Sequence, residues 1–345
     1  MSYIDPASKL LAHADRIAQI QNGGTPAPVN VEIDLSNRCN LGCDGCHFGH
    51  VHSRGPLARR RTHDTGDQMS EELVLRLPGE LEAAGVRSIT WTGGGEPTLH
   101  PLFEAAIQSH NLAQGIYTNG TTIMPERAAI MKRNMQWVYV SLDRMDRESY
   151  REYKKVDAFD RAIHGIRSLA EAEGGATVGV GYLLSKDNYQ NIPGMALFAK
   201  MLGADYCQFR PQVDFDQARP GESKPQTWIE EAIPALEKVV NDGFALADIN
   251  RFKMLHDWQG HGYPTCYWTQ MQATITPDGR VWRCVNRRGF EGDCIGDLNA
   301  ESFGEIWKRS QPYNVNEQCR VMCRGHLPNI ALQQAMRPNP HWRFI

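Results

Sequence analysis

Short apolar runs of strand length alternate along this chain with longer stretches whose apolar positions recur at helical spacing, from about residue 31 to 215. Val31-Glu32-Ile33-Asp34-Leu35 alternates with period two and predicts a first strand, which delivers a cysteine-rich loop at its C-terminal end. Ser70-Glu71-Glu72 predicts a helix start and Gly85 its stop after Ala84, with Pro78-Gly79 expected to kink it midway. Further helices are predicted from Leu102, over 126–134 with Pro125 at the first position, and over 159–173, ended by Gly174-Gly175. Strands are predicted at 178–184 and 206–210. Repeated strand–helix units argue for an α/β protein with a parallel sheet wrapped by helices. In barrels of this kind functional groups gather on the loops that follow the strands.

The pattern weakens over 216–262, where Pro220-Gly221 and Lys224-Pro225 mark a linker ahead of a helix near 228–241. Ala273-Thr274-Ile275-Thr276 and Arg280-Val281-Trp282 flank a Pro-Asp-Gly turn and predict a β-hairpin. A strand-like run at 295–298 and a helix over 302–310 follow. The expected division is a helical lead-in (1–30), a barrel (31–225), a linker and helix (226–262), a small auxiliary domain (263–330) and a tail (331–345).

Composition adds that 345 residues, 41% hydrophobic and 22% charged, can bury one large core and a smaller unit. A net charge of -3 excludes a global polycation for nucleic acid or membrane. No apolar run approaches the ~20 residues of a spanning helix, and the N-terminus lacks a signal-peptide layout. Nine cysteines without a secretory signal then point to metal ligation in a reducing compartment, the cytoplasm.

Three of those cysteines, Cys39, Cys43 and Cys46, lie within eight residues. Thiolates bind soft metals, and three on one loop can hold three irons of a four-iron cluster, leaving the fourth iron open to a small molecule. Spacing alone leaves zinc open, with His47 or His50 as a further ligand. A second group comprises Cys266, Cys284, Cys294, Cys319 and Cys323, for which a zinc knuckle is the alternative. The hairpin is expected to bring Cys266 and Cys284 to one centre. Cys207, inside an apolar run, reads as a small core residue.

The Cys-x3-Cys-x2-Cys spacing resembles the signature of the radical S-adenosylmethionine (SAM) superfamily, and three further segments match that family in order. They are Gly94-Gly95-Glu96-Pro97 after the strand-like 86–92, Tyr117-Thr118-Asn119-Gly120-Thr121, and Val138-Tyr139-Val140-Ser141-Leu142-Asp143. The resemblance implies an open, partial (β/α)6 TIM-like barrel with a [4Fe-4S] cluster on Cys39, Cys43 and Cys46. It implies S-adenosyl-L-methionine as cofactor, its amino group held by Gly94, Gly95 and Glu96 and its ribose by Ser141 and Asp143, with Asn119 in the same site. One position departs from the family: Gly45 stands before the third cysteine, where a large apolar or aromatic residue packs near the adenine; either Phe48 takes over or the adenine is held less tightly.

The C-terminal order is similar to the auxiliary-cluster domain of radical enzymes, the short "twitch" form of the SPASM extension. The matches are Cys266, Gly279 shortly before Cys284, and a closing pair spaced Cys-x3-Cys where the family more often has Cys-x2-Cys. This implies a second [4Fe-4S] cluster on Cys266, Cys284, Cys319 and Cys323, with Cys294 as the spare and alternative ligand. The family chemistry is reductive cleavage of SAM, fed by a low-potential flavodoxin- or ferredoxin-type donor, to a 5'-deoxyadenosyl radical that removes hydrogen from the substrate. Oxidation and redox-neutral rearrangement both stay open. Tyr117, His47 and Arg210 are candidates for the pocket lining, and no acid or base is identified.

For the substrate, residues 47–63 carry Arg54, Arg59, Arg60, Arg61 and four histidines with no acid. This is either a solvated loop or an anion site, since arginine forks match phosphates. The segment from His47 to Leu57 also resembles bacteriophage radical enzymes that remodel amino-acid-decorated thymines in DNA. On that reading the four arginines bind a DNA or nucleotide substrate that is rearranged, in the cytoplasm of the host. The alternatives are peptide maturation, the commonest occupation of enzymes with this auxiliary domain, and a non-catalytic iron–sulfur, zinc or electron-transfer protein. The segments at 94–97 and Ser141/Asp143 speak against the last, because an electron carrier needs no cofactor pocket.

Overall fold

The computed structural model describes residues 6–46, 68–213, 226–241, 243–290, 292–315, 319, 322–337 and 340–343. Its framework is a run of parallel strands: β1 (Asn30–Asp34), β2 (Ser88–Thr92), β3 (Ala113–Thr118), β4 (Trp137–Ser141), β5 (Thr177–Leu184), β6 (Tyr206–Pro211) and β7 (Ala245–Ala247). Each pairs with its predecessor in the chain, as strand–helix units require. Alternation along the strands separates two faces. Val31, Ile33, Ile89, Trp91, Ile116, Val138, Val140, Val178 and Val180 belong to the main core. The other face carries Glu32, Asp34, Thr90, Tyr117, Tyr139, Ser141, Gln208 and Arg210. There Tyr139, Tyr206 and Leu246 form a separate hydrophobic cluster with Tyr117 and Trp137.

Local signals account for most of the helices. Ser70 caps Glu71–Ala83 by accepting from Leu73 N at 3.3 Å. That helix runs unbroken through Pro78, which is buried on the face of Leu73, Val74, Leu77 and Leu81; their packing offsets the hydrogen bond proline cannot make. Pro125 opens Pro125–Asn134, and Phe159–Glu171 stands where the apolar spacing predicts. The helices Arg147–Lys154, Ile192–Met201, Ile249–His256 and His326–Ala335 had no counterpart in the sequence reading, nor had β7.

The C-terminal strands are β8 (Thr265–Cys266), β9 (Gln272–Ile275), β10 (Arg280–Trp282), β11 (Cys294–Asp297) and β12 (Tyr313–Asn314). The β9–β10 hairpin turns through Asp278-Gly279, where Gly279 has φ +83. β9 then pairs in parallel with β1, so hairpin and barrel form one ten-stranded sheet. β8 and β12 make a small sheet of their own. No helix among the described residues is long and apolar enough to cross a membrane.

Candidate active site

Three elements grip the loop that follows β1. At the end of β2, Gly95 N donates to Ser36 O and Glu96 N to Arg38 O, each at 2.9 Å. A Cβ on Gly95 would stand 2.1 Å from the Arg38 carbonyl oxygen, so only glycine lets the two backbones meet. After β3, Asn119 Nδ2 donates to Asn40 Oδ1 at 2.8 Å, and Asn40 Nδ2 to Thr121 Oγ1 at 2.8 Å. From the helix Arg147–Lys154, the carbonyls of Lys154 and Tyr153 accept from Gly42 N (2.8 Å) and Asp44 N (2.9 Å).

This grip places Cys39, Cys43 and Cys46 within electrostatic reach of one another. Burial, then the neighbouring Glu96, pushes the Cys39 thiol up to about 12. Burial also raises Cys43, against the pull of Lys154. Thiols in such surroundings become thiolates when metal ions supply the opposing charge, and an all-sulfur donor set suits iron–sulfur ligation.

Glu96 is buried, and its carboxylate faces the protein. Oε1 accepts from Thr98 Oγ1 and Thr118 Oγ1, both at 2.6 Å, and Oε2 from Asn119 N at 2.7 Å. Burial raises its pKa, opposed by those bonds. Asp143, with φ 64, is also engaged: Oδ2 accepts from Lys154 Nζ at 2.5 Å and Oδ1 from Leu183 N at 2.8 Å. Ser141 ends β4, its carbonyl taken by Lys154 Nζ at 3.0 Å. Gly94 is buried between β2 and Gly95.

Gly45 has a direct structural explanation. A Cβ there would lie 2.1 Å from the Tyr153 hydroxyl, so an aromatic ring from the helix occupies the space a side chain at 45 would fill. Arg144 lies over that ring, 4.0 Å from its centre. The sequence reading missed both Tyr153 and Lys154. The available signal was Asp146, which caps their helix by accepting from Ser149 N at 2.9 Å.

At the other end of the chain, Cys266, Cys284, Cys319 and Cys323 come within electrostatic reach of one another, and burial is the leading cause of every raised thiol among them. Cys319 is pushed up to about 12. Cys294 stands apart on β11, donating to Gly296 O at 3.3 Å beside Asp278, Asp297 and Arg280. The β8–β12 pair positions Cys266, opposite Tyr313, while the hairpin carries Cys284. His261 Nε2 lies 3.5 Å from Cys319 Sγ in a cluster with Tyr263, His326 and Trp258. No three His, Cys, Asp or Glu side chains among the described residues converge on a single-ion site.

Arg288 joins the two groups. It is buried against Asp34 at the end of β1, within electrostatic reach of both Cys46 and Cys284. Arg324 makes a comparable contact with Glu32. Tyr117 and Arg210 meet in the barrel interior, 5.2 Å from guanidinium carbon to ring centre. Arg54, Arg59, Arg60 and Arg61, with His47, His50 and Phe48, lie outside the described residues.

Comparison with known proteins agrees with this layout. Residues 33–199 match the radical SAM superfamily and residues 266–325 the SPASM iron–sulfur cluster-binding domain. A probable GTP 3',8-cyclase of Halobacterium salinarum is 30% identical over 145 residues, 41% of this chain and 39% of that protein. The chain thus spans well under half the length of that relative. The mycofactocin maturase MftC of Mycobacterium tuberculosis is 24% identical over 305 residues, covering 83% of this chain and 72% of that one. The fold matches Streptococcus suis SuiB, solved with precursor peptide SuiA, at TM-score 0.63 and 15% identity over 90% of this chain and 71% of that one.

Proposed function

We propose that this chain, whose residues 33–199 match the radical SAM superfamily and 266–325 the SPASM domain, is a radical SAM enzyme that modifies a peptide. S-adenosyl-L-methionine and two [4Fe-4S] clusters are its cofactors. On our reading Cys39, Cys43 and Cys46 hold the first cluster, and Cys266, Cys284, Cys319 and Cys323 hold the second. When bound, these groups supply one-electron chemistry that ends in hydrogen-atom abstraction from an unactivated carbon.

The chain's residues supply position and exclude water. Glu96 offers the methionyl amine the remaining lone pairs of Oε2, held in place by Asn119 N and the two threonines. Gly94 and Gly95 bring backbone to the same point. Ser141 presents its hydroxyl at the end of β4, while Asp143 acts on the ribose side mainly by fixing that strand end through Lys154. Tyr153 takes the adenine-side position that Gly45 leaves open.

One observation carries the peptide reading: a SPASM domain match at residues 266–325 accompanies likeness to the maturase MftC over 83% of this chain and a fold shared with SuiB, solved with its precursor peptide, over 90% of it. A modified-thymine DNA substrate finds no support among these relatives. The test is anaerobic incubation with SAM, a low-potential reductant and synthetic peptides encoded by short reading frames beside the gene. A peptide product lighter by a hydrogen pair marks oxidation, and an unchanged mass with a shifted retention time marks rearrangement. Turnover of GTP or modified DNA, with every peptide untouched, would overturn the reading.

A further inference from the structure

Two arginines on packed elements, β6 and the helix Ile249–His256, come within electrostatic reach of each other, and no carboxylate forms an ion pair with either among the described residues. Arg210 belongs to the β6 face that carries Tyr206 and Gln208. Its guanidinium carbon stands 4.5 Å from the centre of the Tyr139 ring and 5.2 Å from that of Tyr117, so the side chain reaches across to β4 and β3. The rings are fixed in turn, Tyr117 meeting Trp137 and Tyr139 edge-on at 5.0 Å. Burial works against the Arg210 charge, while Tyr139, Tyr117 and the more distant Asp143 favour it, the Tyr139 hydroxyl without the geometry of a full hydrogen bond.

Arg251 enters from the helix Ile249–His256. Its backbone amide donates to the capping Asp248 at 3.1 Å. Burial, and then the proximity of Arg210, lowers its pKa, while Cys323, Asp248 and Tyr117 favour its charge. The Nε atoms of both arginines are buried without a hydrogen-bond partner. The more deeply buried arginines do have carboxylate partners: Arg288 has Asp34, and Arg287 has Asp293 at 2.6 Å.

Both side chains are partly buried, within reach of an entering molecule; their shielded Nε atoms leave hydrogen-bonding capacity unused, and two like charges within electrostatic reach repel each other. An incoming anion relieves both costs at once. Glu96, Asn119 and the cysteine loop gather after β1, β2 and β3, whereas this pair comes from β6 and the helix after β7. The anion it awaits therefore enters beside the SAM site, towards Cys323.

We propose that Arg210 and Arg251 form a carboxylate subsite that holds an Asp, Glu or C-terminal carboxylate of the peptide substrate between the two cysteine groups. The choice of carboxylate rests on the peptide reading above; the planar guanidinium fork suits it. Tyr117 and Tyr139 keep the Arg210 fork in one orientation.

The test uses anaerobically reconstituted enzyme with SAM bound. It is presented with short synthetic peptides bearing one Asp, one Glu or a free C-terminus, and with the same peptides bearing Asn, Gln or a C-terminal amide. GTP is tested separately. Wild type should retain the acidic forms about tenfold better or more, the size of a charge-assisted hydrogen bond. Arg210→Met and Arg251→Met should erase that preference while leaving SAM affinity and iron content unchanged, and Arg210→Lys should keep part of it. Peptides retained without acid preference, or a preference that survives both variants, would overturn the subsite and leave the peptide reading standing. Loss of SAM affinity in the variants would assign the pair to the SAM carboxylate and overturn it as well. Retention of GTP and of no peptide would overturn the peptide reading itself.

Discussion

Lys154 determines much of the first site's electrostatics. Its ammonium neutralises Asp143 at 2.5 Å and binds Ser141 O, its charge favours a thiolate at Cys43, and its carbonyl holds Gly42. Burial works against the charge, but Asp143 and then Cys43 outweigh it, so the pKa stands well above that of a free lysine. A raised pKa means stability that is complete below about 10.4, the unfolded value, and lost as pH climbs through the folded one. Lys154→Met should therefore destabilise the protein at neutral pH by about 3–5 kcal/mol, because Asp143 remains buried and unpaired. Adding Asp143→Asn should recover part of that loss in denaturant titrations. If the single variant loses no stability, the pair is not holding the site.

Tyr153 illustrates what a residue-by-residue reading cannot supply. The cysteines were legible because residue type and spacing carry their chemistry. That Gly45 yields to a ring more than 100 residues downstream depends on packing between distant segments. Gly45→Phe should clash with Tyr153, at about 1–3 kcal/mol for overpacking. Gly45→Phe with Tyr153→Ala should regain stability and SAM affinity, measured by denaturant titration and equilibrium dialysis. Equal losses in single and double variants would refute the exchange.

Among the elements, β1 to β6 were legible because each buries an apolar face, as in Ile33, Trp91 and Val140. The helix Arg147–Lys154 was not, since it is short and mostly charged, and β7 has only three residues. The ends of β1 and β2 depend on each other at Gly95. Gly95→Ala puts a methyl group 2.1 Å from Arg38 O and should push the cysteine loop off β2. The variant should lose about half its iron after reconstitution, as expected when one of two four-iron clusters fails. Full iron in Gly95→Ala would show that the contact does not position the cysteines.

For the whole molecule, the hairpin and the metal chemistry of the second domain were readable from the Asp-Gly turn and the cysteine order, but its attachment was not. β9 completes the barrel sheet through β1, a pairing of segments more than 200 residues apart, and Arg288 and Arg324 reach back to Asp34 and Glu32. The two cysteine groups thus belong to one continuous framework. On the proposed reading both are iron–sulfur sites, with Cys294 in neither. The direct measurement is iron, sulfide and zinc content, with 5'-deoxyadenosine formation, in anaerobically reconstituted wild type and in Cys39→Ala, Cys319→Ala and Cys294→Ala. Wild type and Cys294→Ala should hold about eight irons and as many sulfides, and Cys319→Ala about half while still cleaving SAM. Cys39→Ala should lose the first cluster and the cleavage together. Stoichiometric zinc without sulfide, or a cluster lost in Cys294→Ala and kept in Cys319→Ala, would contradict the account.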